Sequence, residues 1–306
     1  MSGMTSNTKQ LIKALSENDI YQAKRCAIAC LSEDETQKNA DFVRKYKPIL
    51  LNESSVIALP SNLKNKIETL DLSLTFRDDR YYKTNETLEI SEEIRKMSVA
   101  GDKLASLQIP YLNATLLHGE SGTGKTMLAK YVAYKMGLPY MYLNFSQVIN
   151  PYMGTTSATL NLIFEYVKRT PCVFVIDELD AVAIRRSQSD SQGSDGEMCR
   201  ITITLLQELD NLPNNTILIA CTNRIDRIDE ALFNRFTQVR EIKSLSVYER
   251  EAMVSQYLDT LELSIDDRHK LTEIVKNESN QRKIINTLIK GYANILIQKE
   301  NQIGSK

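Results

Sequence analysis

Residues 119–126 read Gly119-Glu120-Ser121-Gly122-Thr123-Gly124-Lys125-Thr126. A glycine, four residues and then Gly-Lys-Thr is the spacing of a phosphate-binding loop. The flanks agree with it. Thr115-Leu116-Leu117 run in as a short apolar strand, and Met127-Leu128-Ala129-Lys130-Tyr131-Val132-Ala133 leave with helical spacing. Glycines let backbone N–H groups turn inward around phosphate oxygens, and the N-terminus of the following helix adds positive field. In such a loop Lys125 reaches the outer phosphates and the Thr126 hydroxyl holds Mg²⁺. Gly119, Glu120, Ser121, Gly122, Thr123, Gly124 and Met127 complete the expected nucleotide contact.

Strands and helices alternate outward from this loop. Residues 140–144 read as a second strand, and Cys172-Val173-Phe174-Val175-Ile176 as a third, an unbroken apolar run suited to burial on both faces of a parallel sheet. Residues 216–222 and 239–242 supply a fourth and a fifth strand. The expected fold is therefore α/β, a doubly wound parallel five-stranded sheet. From residue 244 the pattern is helical, near 247–260, 266–276 and 280–298, with Ser246 and Glu249 spaced as a capping box. These helices form an expected C-terminal α-helical lid. Residues 187–197, rich in Ser, Asp and Gly, read as a loop.

Upstream, residues 8–50 read as a small helical N-terminal domain. One apolar stripe is Leu11, Ile12 and Leu15; a second is Ile20, Ala23, Ala27, Cys30 and Leu31. Ser32 with Glu35 is spaced as a capping box opening a third helix. Leu70, Leu72, Leu74 and Phe76 alternate as a short strand, the charged run 77–83 reads as exposed, and a helix is expected over 91–107. The expected division is 1–55 helical N-terminal domain, 56–84 linker, 85–243 α/β domain and 244–306 lid.

The composition of the 306 residues is that of an ordinary globular protein, with 42% hydrophobic and 25% charged residues. A net charge of −1 gives no bulk attraction to nucleic acid or to an anionic membrane. No apolar run approaches a membrane span and no signal peptide is evident, so a cytoplasmic location is expected. The five cysteines, Cys26, Cys30, Cys172, Cys199 and Cys221, read as small buried residues in a reducing compartment. His118 and His269 have no ligand-like partners in the sequence and do not suggest a metal site.

Two further segments carry chemistry. Asp177-Glu178 closes the third strand, where open α/β sheets bind ligands. Asp177 is suited to orient the Mg²⁺ shell and Glu178 to polarise a water that attacks the γ-phosphate. Asp180 is open to a role there or to a helix-capping role. Asn223 ends the fourth strand, where a neutral amide can hydrogen-bond both the γ-phosphate and the attacking water.

Together with Asp229-Glu230-Ala231-Leu232-Phe233-Asn234-Arg235-Phe236, these segments resemble the AAA family of ATPases over roughly residues 85–300. The likeness is to the protein-remodelling branch that includes spastin and katanin, and to bacterial single-module AAA proteins with a helical N-domain. The resemblance implies an ATP- and Mg²⁺-dependent ring oligomer, commonly a hexamer, with ATP at subunit interfaces. It implies that Asn223 is the sensor-1 residue and Arg235 the arginine finger, although Asn234 stands where some relatives have a second arginine. It also implies that Tyr152, Met153 and Gly154 line a central pore that grips a protein client. Family members often have Glu after that glycine; here it is Thr155. Arg282 is the candidate for sensor 2.

The function expected is an ATPase that remodels, unfolds or disassembles a protein client. A separately encoded protease or effector is a conceivable partner, since the chain has no His-Glu-x-x-His. Two alternatives stay open. One is a nucleic-acid loader or motor, for which Arg185-Arg186 is the only visible basic patch. The other is an ATP-dependent assembly switch.

Overall fold

The computed structural model describes residues 4–16, 20–34, 36–54, 59, 63–64, 66–73, 75–148, 155–181, 194–214 and 216–303. In chain order the helices and strands are α1 (Ser6–Ser16), α2 (Ile20–Glu33), α3 (Ala40–Ser54), β1 (Glu68–Leu70), α4 (Asn85–Ser106), β2 (Asn113–His118), α5 (Lys125–Met136), β3 (Tyr140–Asn144), α6 (Phe145–Val148), α7 (Thr155–Arg169), β4 (Val173–Asp177), α8 (Ser194–Asp210), β5 (Ile217–Thr222), α9 (Glu230–Phe233), β6 (Gln238–Glu241), α10 (Val247–Asp259), α11 (Ile265–Val275) and α12 (Gln281–Ile303).

The sheet has six strands in the order β1-β3-β4-β5-β2-β6. The five strands read from the sequence are parallel, and β1 adds an antiparallel edge against β3. Side chains alternate between two cores, one on each face of the sheet, as the period of a strand requires. On β4, Phe174 and Ile176 join Leu160, Ile163, Phe164 and Leu205 of α7 and α8. Val173 and Val175 join Ile90, Ile94, Leu128 and Val132 of α4 and α5 on the other face. The same alternation holds on β5, with Leu218 and Ala220 on one side and Ile217, Ile219 and Cys221 on the other. The unbroken apolar runs are thus strands covered by helices on both faces.

A third core lies among α10, α11 and α12, built on Met253, Leu258, Leu271, Ile284 and Leu288. The Ser246–Glu249 capping box opens α10 as expected: Ser246 Oγ accepts from Glu249 N, and the Glu249 carboxylate accepts from Ser246 N at 2.9 Å.

Several local expectations need correction. Ser32 does not open a helix; it lies within α2, and its Oγ donates to the Ile28 carbonyl at 2.8 Å. A hydroxyl can satisfy itself on the preceding turn in this way, so serine alone does not mark a helix start. In α1, Ile12 and Leu15 are about half exposed (49% and 54%), while Ala14 is buried. The small residue allows close approach to α2, and the larger ones stay outside. The strand expected over 70–76 lies earlier, because Phe76 N–H donates to the Leu72 carbonyl and closes a turn there. Within the run expected to be exposed, Tyr81 is buried with its ring 5.0 Å from that of Tyr131. The helix expected from 91 begins at Asn85, capped by the Thr84–Thr87 box. Residues 194–197, read as loop, begin α8. Of the cysteines, Cys199 is exposed.

Candidate nucleotide site

The carboxyl ends of β2, β4 and β5 meet because β5 lies between the other two. Register aligns His118 with Thr222, the last residues before Gly119 and Asn223. The phosphate-loop segment, the end of the acidic strand and Asn223 are thereby brought to one edge of the sheet, where open α/β sheets bind ligands.

The loop backbone uses conformations that favour glycine. Gly119, Gly122 and Gly124 have φ of 142°, 85° and 100°. A Cβ on Gly119 would lie 2.3 Å from the Ile242 carbonyl oxygen, so the loop passes directly against the chain leaving β6. Gly124 then caps α5, and Lys125 is its first residue. Lys125 is buried, and its Nζ donates to Gly119 O at 2.8 Å, to Glu120 O at 2.8 Å and to Asn223 Oδ1 at 2.7 Å. Burial holds this ammonium below the ordinary lysine range, the Arg282 charge adds to that effect, and the nearby Asp177 opposes it. Arg282 thus sits within electrostatic reach of the loop. Met127, two residues further along, is 43% exposed.

Asp177 is held from several sides. Its Oδ2 accepts from Thr126 Oγ1 at 2.9 Å and from the Tyr142 hydroxyl at 3.2 Å, and its Oδ1 accepts from Glu178 N–H at 2.9 Å. Glu178 has φ of 56°, the left-handed region that residues with a side chain seldom occupy. Such strain persists where the surroundings over-determine it, and it clusters at functional sites. Asp180 lies in a 3₁₀ turn over Leu179–Ala181. Its Oδ1 accepts from Thr222 Oγ1 at 2.6 Å and from Asn223 N–H at 3.3 Å. It fixes the end of β5 to the segment after β4.

This arrangement offers inward-turning loop backbone, one buried ammonium, a neutral amide and a hydroxyl–carboxylate pair. Thr126 Oγ1 and Asp177 Oδ2 are hard oxygen donors already within hydrogen-bond distance, a set that suits Mg²⁺. Beside Gly124 a cavity of about 460 Å³ is lined by Tyr81, Tyr82, Thr123, Leu245 and Gln281 among others, a volume within the range of small-molecule sites.

Among the described residues, Arg235 is not joined to this network. Its Nε and Nη2 hold the two oxygens of Asp210 at 3.0 and 2.9 Å, and its Nη1 donates to Ala231 O. Tyr152, Met153, Gly154 and the Arg185-Arg186 pair lie outside the described residues. Sequence reasoning missed Tyr142 and Asn280. Tyr142 is one of alternating strand residues with no mark of its own. Asn280 reads only as a helix cap, yet its side chain donates to the Ser121 carbonyl at 2.8 Å.

Residues 115–244 match the ATPase family associated with various cellular activities (AAA). Among similar proteins, proteasome-activating nucleotidase 2 of Halobacterium salinarum is 31% identical over 192 residues, 58% of this chain and 46% of the relative. The peroxisomal ATPase pex6 of Schizosaccharomyces pombe is 28% identical over 267 residues, 82% of this chain and 28% of the relative. An AAA family ATPase of Sinorhizobium fredii is 36% identical over 124 residues, 40% of this chain and 37% of the relative. The chain spans less than half the length of each of these relatives.

Proposed function

We propose, from the premise that residues 115–244 form an AAA ATPase domain, that this chain hydrolyses ATP in a Mg²⁺-dependent reaction and spends the cycle on remodelling, unfolding or disassembling protein clients. The observation that carries the reading is the convergence of Lys125 on both the loop carbonyls and Asn223, with Thr126 and Asp177 alongside.

The roles follow from the chemistry of each group. The loop from Gly119 to Thr126 binds the phosphates through backbone N–H groups, and Lys125 exchanges its carbonyl partners for phosphate oxygens. Thr126 and Asp177 hold Mg²⁺, which neutralises charge on the phosphates. Glu178 orients and polarises the attacking water. Asn223 hydrogen-bonds that water and the γ-phosphate, and its backbone is fixed by Asp180. The cavity beside Gly124 accepts the nucleoside end.

Assembly completes the site in this reading. Arg235 reaches the nucleotide of a neighbouring subunit in a homo-oligomeric ring, of which a hexamer is the expected size. An arginine finger of this kind contributes about 10³–10⁵ in rate in GTPase systems. Its bond to Asp210 must then give way on assembly. As an exposed ion pair, Arg235–Asp210 opposes this by roughly 0–1 kcal/mol. Tyr152, Met153 and Gly154 line the central pore. An aromatic ring packs against extended chains with little sequence preference, and glycine lets the loop follow the nucleotide state.

Residues 1–55 form an N-terminal helical domain, 85–243 the ATPase core and 244–306 its lid; the 56–84 segment, expected as a linker, contributes the edge strand β1 and the buried Tyr81 to that core. The name of the proteasome-activating relative supports a protein-directed activity over a nucleic-acid motor. A separately encoded protease or effector is a fitting partner, and the cytoplasm a fitting location. Among the described residues no helix is long and apolar enough to cross a membrane.

The test is a substrate trap. Glu178→Gln is expected to hold ATP without turnover and to retain a protein client from a native extract, and adding Tyr152→Ala is expected to release it. Nuclease-sensitive nucleic acid in the trap, with no tyrosine-dependent protein, contradicts the reading.

A further inference from the structure

We propose that Asn280 is a positioning residue for the phosphate loop: it holds the Ser121–Gly122 peptide so that the Gly122 N–H faces the phosphates, and so ties nucleotide affinity to the place of α12. This inference rests on the nucleotide-binding reading above and adds a residue that neither the loop motif nor the acidic strand contains.

The Asn280 amide works in two directions. Its Oδ1 accepts from Lys283 N–H at 3.1 Å, which caps the first turn of α12. Its Nδ2 donates to the Ser121 carbonyl at 2.8 Å, across a sequence separation of 159 residues. The backbone of Asn280 is held as well. Asn280 N–H donates to Glu278 Oε1 at 2.9 Å, and the Asn280 carbonyl accepts from Ile284 N–H at 2.9 Å. One planar group therefore joins the start of α12 to the middle of the loop.

The loop is shaped to receive it. Gly122 has φ of 85°, and a Cβ there would lie 2.5–2.9 Å from Nδ2, Oδ1 and Cγ of Asn280. The absence of a side chain at 122 thus serves the approach of Asn280 as well as the turn itself.

In a trans peptide the carbonyl and the following N–H point in opposite directions. Fixing the Ser121 oxygen toward α12 turns the Gly122 N–H away from it, to the side of the loop that binds phosphate. Without the Asn280 donor this peptide is free to rotate, and the anion site loses a preset N–H group. The linkage is reciprocal: phosphate on the Gly122 N–H stabilises the Ser121–Asn280 bond and with it the docked position of α12. Nucleotide state and helix position are then coupled through one hydrogen bond.

Two substitutions separate this role from capping. Asn280→Ser keeps a cap for Lys283 N–H but is too short to reach Ser121, whereas Asn280→Ala removes both bonds. Binding is measured by titration calorimetry with MgADP and with pyrophosphate, which lacks the nucleoside, and folding by thermal melting. With wild type binding both ligands, Asn280→Ser is expected to weaken both about three- to tenfold, the loss of one hydrogen bond, with its midpoint within about 2 °C of wild type. Asn280→Ala is expected to weaken both equally and to melt lower. Binding of both ligands by Asn280→Ser within twofold of wild type overturns the inference, as does weakening of MgADP alone. If wild type itself binds neither ligand, the nucleotide reading fails and the inference falls with it.

Discussion

Nζ of Lys125 lies 2.7 Å from Oδ1 of Asn223, which joins the first turn of α5 to the residue after β5. The contact exists because β5 is the neighbour of β2 and aligns Thr222 with His118. With its oxygen on the ammonium, the Asn223 amide keeps its N–H groups as donors for a water or a phosphate oxygen. The two residues should therefore separate in kinetics. Lys125→Ala is expected to reduce ATP affinity by roughly a hundredfold or more, as loss of a charge-assisted contact in a buried site. Asn223→Ala is expected to leave the ATP Kd within about threefold and to lower kcat by roughly 10–100-fold. Calorimetry and phosphate release measure the two quantities separately, and a purely affinity-based effect of Asn223→Ala would contradict the assignment.

Asp180 should act through Asn223. Its Oδ1 holds both the Thr222 hydroxyl and the Asn223 N–H. Asp180→Ala is expected to lower kcat about tenfold with little change in KM, and Thr222→Val should act in the same direction. The double variant should fall short of the product of the two effects, because both changes disturb one network. Full additivity in a double-mutant cycle would show that the network does not transmit the effect.

The loop glycines should differ in how much stability they control. A Cβ on Gly119 meets the Ile242 carbonyl at 2.3 Å, a backbone atom of the chain leaving β6. A Cβ on Gly122 meets the movable side chain of Asn280. Gly119→Ala is expected to cost about 2 kcal/mol or more, from strain at positive φ together with overpacking. Gly122→Ala should cost less stability while displacing Asn280. Denaturant unfolding of the two variants checks the order.

The hydroxyl of Tyr142 is pushed up to about 12, chiefly by burial and next by the Asp177 carboxylate. A pKa raised above its ordinary 10 contributes stability that is complete below pH 10 and is lost as pH rises through 12. Tyr142→Phe is expected to flatten the fall in stability across this window, measured by denaturant unfolding at fixed pH. An unchanged alkaline profile would contradict the burial of the Tyr142 hydroxyl beside the Asp177 carboxylate.

Much of this was legible in the sequence because it depends on short-range pattern. The phosphate loop, the buried β4 run and Asp177-Glu178 are contiguous signals, and the sheet places them where α/β topology requires. The edge strand β1 was misplaced because Leu70, Leu72 and Phe76 alternate, yet the chain closes a turn on Leu72; alternation cannot distinguish these. The Asn280–Ser121 and Tyr142–Asp177 bonds were hidden for a different reason. Each joins elements that only the folded chain brings together, and neither asparagine before a helix nor tyrosine in a strand announces a distant partner. Arg235 shows the converse: its motif is legible, while within one chain it turns to Asp210.

In the function proposed, ATP is hydrolysed at the junction of Lys125, Asp177, Glu178 and Asn223. The most direct measurement compares ATP binding and single-turnover hydrolysis of wild type and Glu178→Gln at saturating Mg²⁺. For Glu178→Gln, ATP affinity is expected within about threefold of wild type and a hydrolysis rate lower by roughly a hundredfold or more, as for loss of a general base. Hydrolysis by Glu178→Gln at the wild-type rate would contradict this function.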